Sequence, residues 1–416
     1  MLFLYHIIVF IIIIFSPIII PYRILKNKED KKRYIEKFSI PSKKRVKGNL
    51  IWFHGASVGE LLSIVPLIKN YEKNKSITQI LVTSSTLSSS YVLQKFKFKK
   101  TIHQFYPIDN LFLTNKFLKF WKPAIAVFVD SEIWPSMYKN IYDKKIPLIL
   151  LNARLTKKTF KRWMKLKKFG RSIFKKITIA YPQNLETKTY LKKLETKNIY
   201  YLGNLKFAEN FEENFDRIKF NLKKELLKKK IWIASSTHKN EELFCAKAHI
   251  QLRKKVKNLI TIIIPRHIHR SREIILEIEN LGLKVSTHSS KPRSLKNTDI
   301  YIVDTFGETR KFHKIGFTVF LGGSIIHKGG QNPLEAARFG AKILHGPNTD
   351  NFKDVYKLLN SLKISKKIQT PSELASSITF KKNKIIGNKI KNIGQNILKK
   401  TIKELDYFII NEFKKT

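Results

Sequence analysis

Residues 2–20 are almost entirely apolar, interrupted by His6, Ser16 and Pro17. At helical rise the run spans roughly 28 Å, close to the thickness of a bilayer's hydrocarbon core. From about residue 47 the pattern changes to short apolar runs alternating with longer amphipathic stretches. The runs 49–53, 79–83, 102–106, 124–129, 146–151, 177–180 and 199–202 predict strands. Helical spacing lies between them, as in 60–71, 111–120 and 184–194. Residues 206–230 are charged and poor in strand formers, which predicts a hinge followed by a helix. The alternation then restarts with strands at 231–234, 259–264, 284–286, 299–303, 317–321 and 342–344. Apolar strands bounded by amphipathic helices predict an α/β protein whose parallel sheets are covered on both faces. Two such series predict two Rossmann-like, doubly wound domains facing a cleft. The expected parts are a membrane anchor helix at 1–22, a first domain at 23–205 and a second at 206–385. A terminal helix at 386–416 is expected to pack back across them.

The 416 residues suffice for two or three separate cores. Basic residues follow the apolar run (Arg23, Lys26, Lys28, Lys31, Lys32, Arg33), none precedes it, and no small-x-small cleavage site follows. A cleaved signal peptide has the opposite charge order, so an uncleaved anchor is expected. The positive-inside rule then puts the body on the cytoplasmic side of the membrane. Pro17 and Pro21 leave a shallower, monotopic insertion open beside a single pass. The formal charge of +50 is mostly lysine. Such a chain invites a nucleic-acid reading, but no stretch alternates basic and aromatic residues as a single-strand platform does. Nucleic acid is therefore not an expected partner, and the excess is read as attraction to an anionic membrane surface. One cysteine, Cys245, excludes an internal disulfide and sits in an apolar helical pattern that predicts a buried thiol.

In open α/β sheets ligands sit at the carboxyl ends of strands, so motifs that follow strands matter most. The densest is 320–336, FLGGSIIHKGGQNPLEA. Gly322-Gly323 and Gly329-Gly330 flank a loop leading to Asn332, a cap, then Pro333 in a first helical turn, and Glu335. Glycines let backbone N–H groups approach a ligand, and a helix start adds a positive end. That predicts a metal-free cradle for a phosphate and sugar, against the alternative of a glycine-rich turn of no consequence. After the first strand comes HGASVGE, with Glu60 on the first turn of a helix. Glu60 either complements the helix dipole or serves as a general base. Asp130 and Glu132 follow the fourth strand, and Asn152-Ala153-Arg154 the fifth. Arg154 either orients those acids, holds an anionic acceptor, or makes a surface salt bridge. In the second half, Ser235–His238, Pro265-Arg266-His267 and Asp304–Glu308 end successive strands, and Arg266 offers a planar fork for a phosphate. His238, His267, His313 and His327 have no metal-ligand spacing and are read as solvated or hydrogen-bonding.

HGASVGE, DSEIWP, NAR, GNLKF, SSTHKNEE, PRH, DTFGE, GGSIIHKGGQNPLEAA and GPNTDNF, in this order from about residue 20 to 390, resemble the Kdo transferases. These are the lipid A 3-deoxy-D-manno-octulosonic acid (Kdo) transferases of Gram-negative envelopes. The resemblance implies a GT-B fold, a CMP-Kdo donor acting as co-substrate, a lipid IVA acceptor and no cofactor. It further implies an inverting, metal-independent reaction at the cytoplasmic face of the cell inner membrane. Glu60 matches the family's catalytic base. Asp130, Glu132 and Lys206 of GNLKF match groups that support the transition state. CMP contacts map to Pro265 and Arg266, to Phe306, Gly307 and Glu308, and to the loop Gly329, Gly330, Asn332, Pro333, Leu334 and Glu335. Three positions depart from the family: Asp130 stands in place of Glu, Ala208 in place of an acid, and Gln331 in place of His. Two other readings compete: a GT-B enzyme using another nucleotide sugar, and a membrane-tethered basic binding protein without catalysis. The pattern carries no signal for oligomeric state.

Overall fold

The computed structural model describes residues 2–208, 218–292 and 294–414. The chain divides into two compact units, one formed by Met1–Asn210 with Gly394–Thr416 and the other by Phe211–Ile393.

Unit 1 holds six strands: β1 (Leu50–His54), β2 (Gln79–Ser84), β3 (Thr101–Phe105), β4 (Ile125–Val129), β5 (Leu148–Ala153) and β6 (Ile179–Pro182). All pair in parallel in the order β3-β2-β1-β4-β5-β6. Every residue of β1 is buried, as a strand covered by helices on both faces must be. Its Trp52 packs at 4.9 Å from Phe117 of the helix Leu111–Trp121 and at 5.0 Å from Phe128 of β4. The chain winds outward from β1 to β3 and then returns to place β4 on the other side. Such a reversal opens a crevice at the carboxyl ends of β1 and β4. The run 199–202, expected as a seventh strand, makes one bridge, between Ala180 and Ile199. Tyr200 and Tyr201 are 54% and 46% exposed, so that segment lacks the two-sided cover a parallel strand needs.

Unit 2 holds seven parallel strands: β7 (Lys230–Thr237), β8 (Leu259–Pro265), β9 (Val285–Thr287), β10 (Ile300–Ile302), β11 (Thr318–Leu321), β12 (Lys342–His345) and β13 (Ser365–Lys367). Their order is β13-β12-β11-β7-β8-β10-β9, with the winding reversed between β7 and β11. The pattern missed β13 because Ser365-Lys366-Lys367 has no apolar run; its pairing to β12 at the sheet edge defines it. Cys245 is fully buried in the helix Glu241–Arg253. Two strands run past their expected ends through bulges, between Leu151 and Ala153 in β5 and between Ser235 and Thr237 in β7. Asn152 (φ 52°) and Ser236 (φ 55°) there adopt the left-handed conformation, which re-aims side chains at a strand end.

Of the charged stretch 206–230, residues 209–217 lie outside the described residues; a helix covers Phe220–Leu227. The N-terminal helix Leu2–Leu25 continues through Pro17 and Pro21, and Phe3–Leu25 is long and apolar enough to cross a membrane. A 30-residue helix covers Lys384–Phe413, its residues from Gly394 onward belonging to unit 1. Within unit 1, a Cβ on Gly394 would overlap the carbonyl oxygen of Phe207, next to Lys206. Alanine for glycine inside a helix ordinarily stabilises by roughly 0.5–1 kcal/mol. Gly394→Ala is expected to do the reverse and lower the thermal unfolding midpoint of the full chain. A raised midpoint would show that this close approach is not made.

Candidate active site

β1 ends at His54, and Gly55-Ala56-Ser57 turns the chain into the helix Val58–Tyr71. Ser57 caps that helix, its Oγ accepting the Glu60 N–H at 3.4 Å. Glu60 reaches back, its Oε2 accepting the N–H groups of Ala56 (2.6 Å) and Ser57 (3.3 Å). This reciprocal capping box means that the helix-start role of Glu60 is real. It also pins the carboxylate at the end of β1, in the field of two more acids. Burial chiefly, then the charges of Asp130 and Glu132, push the Glu60 carboxyl up to about 7, against the pull of the Ala56 N–H. A carboxyl that titrates there is suited to take and release a proton near neutral pH.

Asp130 follows β4 in the left-handed conformation (φ 56°) and is buried. Its Oδ1 accepts from Asn152 Nδ2 at 2.6 Å and its Oδ2 from Lys206 Nζ at 2.8 Å. Asn152 in turn accepts the N–H of Leu205 at 2.9 Å, so the bulge of β5 ties β4 to the segment that carries Lys206. The aspartate, one methylene shorter than the glutamate the resemblance led one to expect, still reaches the ammonium. Arg154 meets Asp130 through the backbone, its N–H donating to the Asp130 carbonyl at 2.9 Å. Asn152 of the NAR motif thus orients the acid through its side chain.

Glu132 Oε2 accepts the indole N–H of Trp134 at 2.9 Å and lies 3.2 Å from Nε2 of the fully buried His54. The other ring nitrogen of His54 is 2.9 Å from Thr83 Oγ1, which accepts Trp52 Nε1–H at 2.8 Å. A proton on Nε2, with Nδ1 accepting the Thr83 hydroxyl, gives every proton along Trp52–Thr83–His54–Glu132 an acceptor. Tyr106 stacks on His54 with ring centroids 3.9 Å apart. Sequence reasoning took His54 as part of a turn and missed Thr83. A histidine closing an otherwise apolar strand was the one available signal.

In unit 2 the polar ends of β11, β7, β8 and β10 are neighbours along one sheet edge. The glycine loop after β11 is held by Glu241, a 1% exposed residue that the sequence reading did not single out. Its Oε2 accepts the N–H groups of His238 (3.0 Å) and Gly323 (2.7 Å). Its Oε1 accepts those of Ser324 (3.1 Å) and Ile325 (3.0 Å). The Gly322 N–H goes to the Ser235 carbonyl (2.9 Å) and the Gly330 N–H to the Gly323 carbonyl (2.8 Å). The expectation that the loop N–H groups face a phosphate is corrected for Gly322, Gly323 and Gly330: with Ser324, Ile325 and His238 they find acceptors inside unit 2, because leaving such groups unpaired would be costly. Gly322 is required for closeness, since a Cβ would stand 2.6 Å from Thr237 Cα. The helix after the loop is also shorter than expected. Asn332 Oδ1 does cap the Leu334 N–H at 3.0 Å, but Leu334–Ala337 is a single turn with Pro333 at its cap position.

Around this loop, Glu335 Oε2 lies 3.7 Å from Nδ1 of His313, whose Nε2 is 3.0 Å from Ser235 Oγ. Burial, then the charges of Arg310 and Lys382, pull the His313 imidazole down to about 3, so it is a neutral link in the packing. Pro265 ends β8, and the exposed Arg266 donates its backbone N–H to the Thr237 carbonyl at 2.9 Å. Phe306 is 81% exposed beside Gly307 (φ 83°), and Glu308 accepts from Lys311 Nζ at 2.8 Å.

Residues 32–209 match the family model for 3-deoxy-D-manno-octulosonic-acid transferase (kdotransferase). The chain is 34% identical to the 3-deoxy-D-manno-octulosonic acid transferase of Rickettsia bellii (strain RML369-C), over 95% of this chain and 94% of that one. It is 31% identical to the enzyme of the same name from Rickettsia felis (strain ATCC VR-1525 / URRWXCal2), over 96% of each. A solved glycosyltransferase from Rickettsia africae ESF-5 superposes with a TM-score of 0.55 at 11% identity, over 89% of this chain and all of that one. At that identity the likeness speaks for the fold alone, which is GT-B-like.

Glu241→Gln presents an amide N–H₂ to backbone donors that now share a carboxylate. It is expected to destabilise unit 2 by about 1–3 kcal/mol, because backbone N–H groups in the interior lose their acceptor. Denaturant unfolding measures this, and a change below about 0.5 kcal/mol, the usual range for neutral surface substitutions, would contradict the role given to Glu241.

Proposed function

The chain belongs to the 3-deoxy-D-manno-octulosonic acid transferase family of glycosyltransferases, and on that premise we propose that it transfers Kdo from CMP-Kdo to lipid IVA, the lipid A precursor. The proposed reaction is inverting and metal-independent, with Glu60 as general base. The observation that carries this reading is the set of groups at the crevice of unit 1. A carboxyl brought to about 7 stands at the end of β1, beside Asp130 and Glu132, with the Lys206 ammonium held at 2.8 Å from Asp130.

The chemistry follows from these groups. Ionised Glu60 takes the proton of a glucosamine hydroxyl on the acceptor. The hydroxyl oxygen forms a bond to the anomeric carbon of Kdo as the bond from that carbon to the phosphate oxygen breaks. CMP leaves with the electron pair, and one displacement inverts the configuration. Lys206 supports the negative charge that gathers in the transition state, fixed in place so that little reorganisation is needed. In unit 2, the Arg266 guanidinium suits the single phosphate of CMP. The exposed ring of Phe306 offers a face to the base, with Gly307 and Glu308 beside it. Gly329, Gly330 and Asn332 to Glu335 form the rest of the donor wall, working through shape and side chains more than through open N–H groups. A monophosphate leaving group carries little charge, which is why no metal is invoked. The apolar N-terminal helix and the basic residues after it suit the anionic cytoplasmic face of the inner membrane, where a bis-phosphorylated lipid acceptor resides.

Mass spectrometry of lipid IVA after incubation with the enzyme and CMP-Kdo should show products heavier by whole Kdo units. Competition against UDP- and ADP-sugars should leave the yield unchanged; product formed from those donors instead would replace the donor assignment. Glu60→Gln is expected to lower kcat by about 10²–10⁴-fold, the range for a positioned proton acceptor, with the fold intact. Because a base must be ionised, kcat/KM should fall as pH drops below about 7. Glu132→Gln removes one of the charges that raise Glu60, so it should move this acidic limb to lower pH in the pH–rate profile. A limb that stays in place would mean that a different group is titrating.

A further inference from the structure

The N-terminal helix Leu2–Leu25 is fastened to unit 1 at both of its ends. Near its start, the Tyr5 hydroxyl donates to Asp109 Oδ2 at 2.6 Å. Asp109 is buried and also accepts the N–H groups of Ser136 and Met137, both at 2.9 Å, at the beginning of the helix Pro135–Asp143. Near its end, Arg23 Nε donates at 3.1 Å to Glu29, a buried carboxylate that Lys37 also pairs with at 2.7 Å. Between these ties the less exposed positions are the six residues Tyr5, Val9, Ile13, Ser16, Ile20 and Arg23, with His6 beside Tyr5 also part-buried. Steps of three and four residues put all six on one face of the helix.

The opposite face tells the other half. It runs from Phe3, 77% exposed, through Ile18, 69% exposed, to Leu25, and consists of aliphatic, phenylalanine and proline residues with one tyrosine, Tyr22. The helix's polar side chains Tyr5, His6, Ser16 and Arg23 all lie on the side toward unit 1. The ties at Tyr5 and Arg23 are eighteen residues apart, or roughly 27 Å at helical rise, about the thickness of the hydrocarbon core. If the helix crossed the bilayer, one tie would stand on the far side, and the part of unit 1 it holds would have to follow. That part includes Asp109, the backbone N–H groups around it, and the Lys-rich surface of a +50 chain. Dragging these through hydrocarbon is prohibitive.

We infer that the helix Leu2–Leu25 lies in the plane of the membrane, its apolar face seated in the acyl layer of a single anionic leaflet and its polar stripe on unit 1. This deepens the membrane placement proposed above by choosing monotopic insertion over a single pass. In-plane helices of this kind bury their apolar face roughly 5–10 Å into the leaflet, and basic residues beside them meet anionic headgroups. Arg23, Lys26, Lys28, Lys31 and Lys32 supply that charge at the helix end. Because Asp109 also anchors the segment that follows Glu132, the helix holds the crevice of unit 1 at a set height over the leaflet.

The test uses the full chain with one cysteine in a short uncharged extension ahead of Met1; Cys245 is buried and serves as the unlabelled control. A membrane-impermeant maleimide should label the extension in inverted inner-membrane vesicles, where the body faces the medium, and fail to do so in right-side-out vesicles. Labelling confined to right-side-out vesicles would establish a single pass and overturn the inference. Without any extension, Ile12→Trp places a probe at mid-helix. Its fluorescence, taken as a difference from the parent chain, should be quenched best by shallow lipid-borne quenchers; strongest quenching at the bilayer centre would overturn the inference too. Recovery of the chain in the soluble fraction would remove the membrane placement itself. Transfer assays on the same material report separately on the catalytic reading.

Discussion

Three carboxylates brought together at the ends of two adjacent strands repel one another, and unit 1 is organised around relieving that repulsion. Asp130 has an ammonium, Lys206, and an amide, Asn152. Glu132 has an indole N–H and the end of the relay through His54 and Thr83. Glu60 receives the backbone N–H groups of Ala56 and Ser57, and its carboxyl is pushed up to about 7. Removing one partner from a buried pair such as Lys206–Asp130 typically costs 3–5 kcal/mol, roughly, because the other charge is left uncompensated. The left-handed conformations of Asp130 and Asn152, the bulge in β5 and the glycine at position 394 are all arrangements that let these partners arrive.

Unit 2 meets a different requirement, that of holding an irregular loop still without a ligand. One buried carboxylate, Glu241, gathers four backbone N–H groups from two strand ends. From the far side, Asn351 donates its N–H to the Gly329 carbonyl at 3.0 Å and Tyr356 its hydroxyl to the Gln331 carbonyl at 3.1 Å. A loop braced on both sides has already met the ordering cost that a ligand would otherwise face on binding. In the proposed reading, specificity rests on what projects from the braced frame: Arg266, Phe306 and the side chains that follow Asn332.

The N-terminal helix, long and apolar enough to cross a membrane, is tied to the same unit 1 groups. Asp109 takes the Tyr5 hydroxyl and also caps the start of the helix Pro135–Asp143, a few residues beyond Glu132. The same carboxylate thus serves the N-terminal helix and the segment that positions one of the crevice acids. In the in-plane placement inferred above, the height of the crevice over the leaflet and its geometry depend on this shared group.

The alternation of apolar runs was enough to place twelve of the thirteen strands among the described residues, since a strand buried on both faces has to be apolar whatever its neighbours are. β13 escaped because its residues are polar and only β12 makes them a strand. The run 199–202 misled because apolar residues alone do not supply a covering layer. Glu60, Asp130, Glu132 and Lys206 were legible from short ordered motifs, as was the resemblance that grouped them. What the chain's order could not express is which donor meets which acceptor. Glu241 lies 82 residues before Gly323 and Tyr5 lies 104 before Asp109. Hydrogen bonds are satisfied in space, and burial decides which ones must be. Local composition therefore determined the elements and their chemistry, while the tertiary structure decided that the Gly322, Gly323 and Gly330 N–H groups find internal acceptors, that the Glu60 carboxyl is pushed up to about 7, and that the apolar helix turns one face to unit 1 and leaves the other exposed.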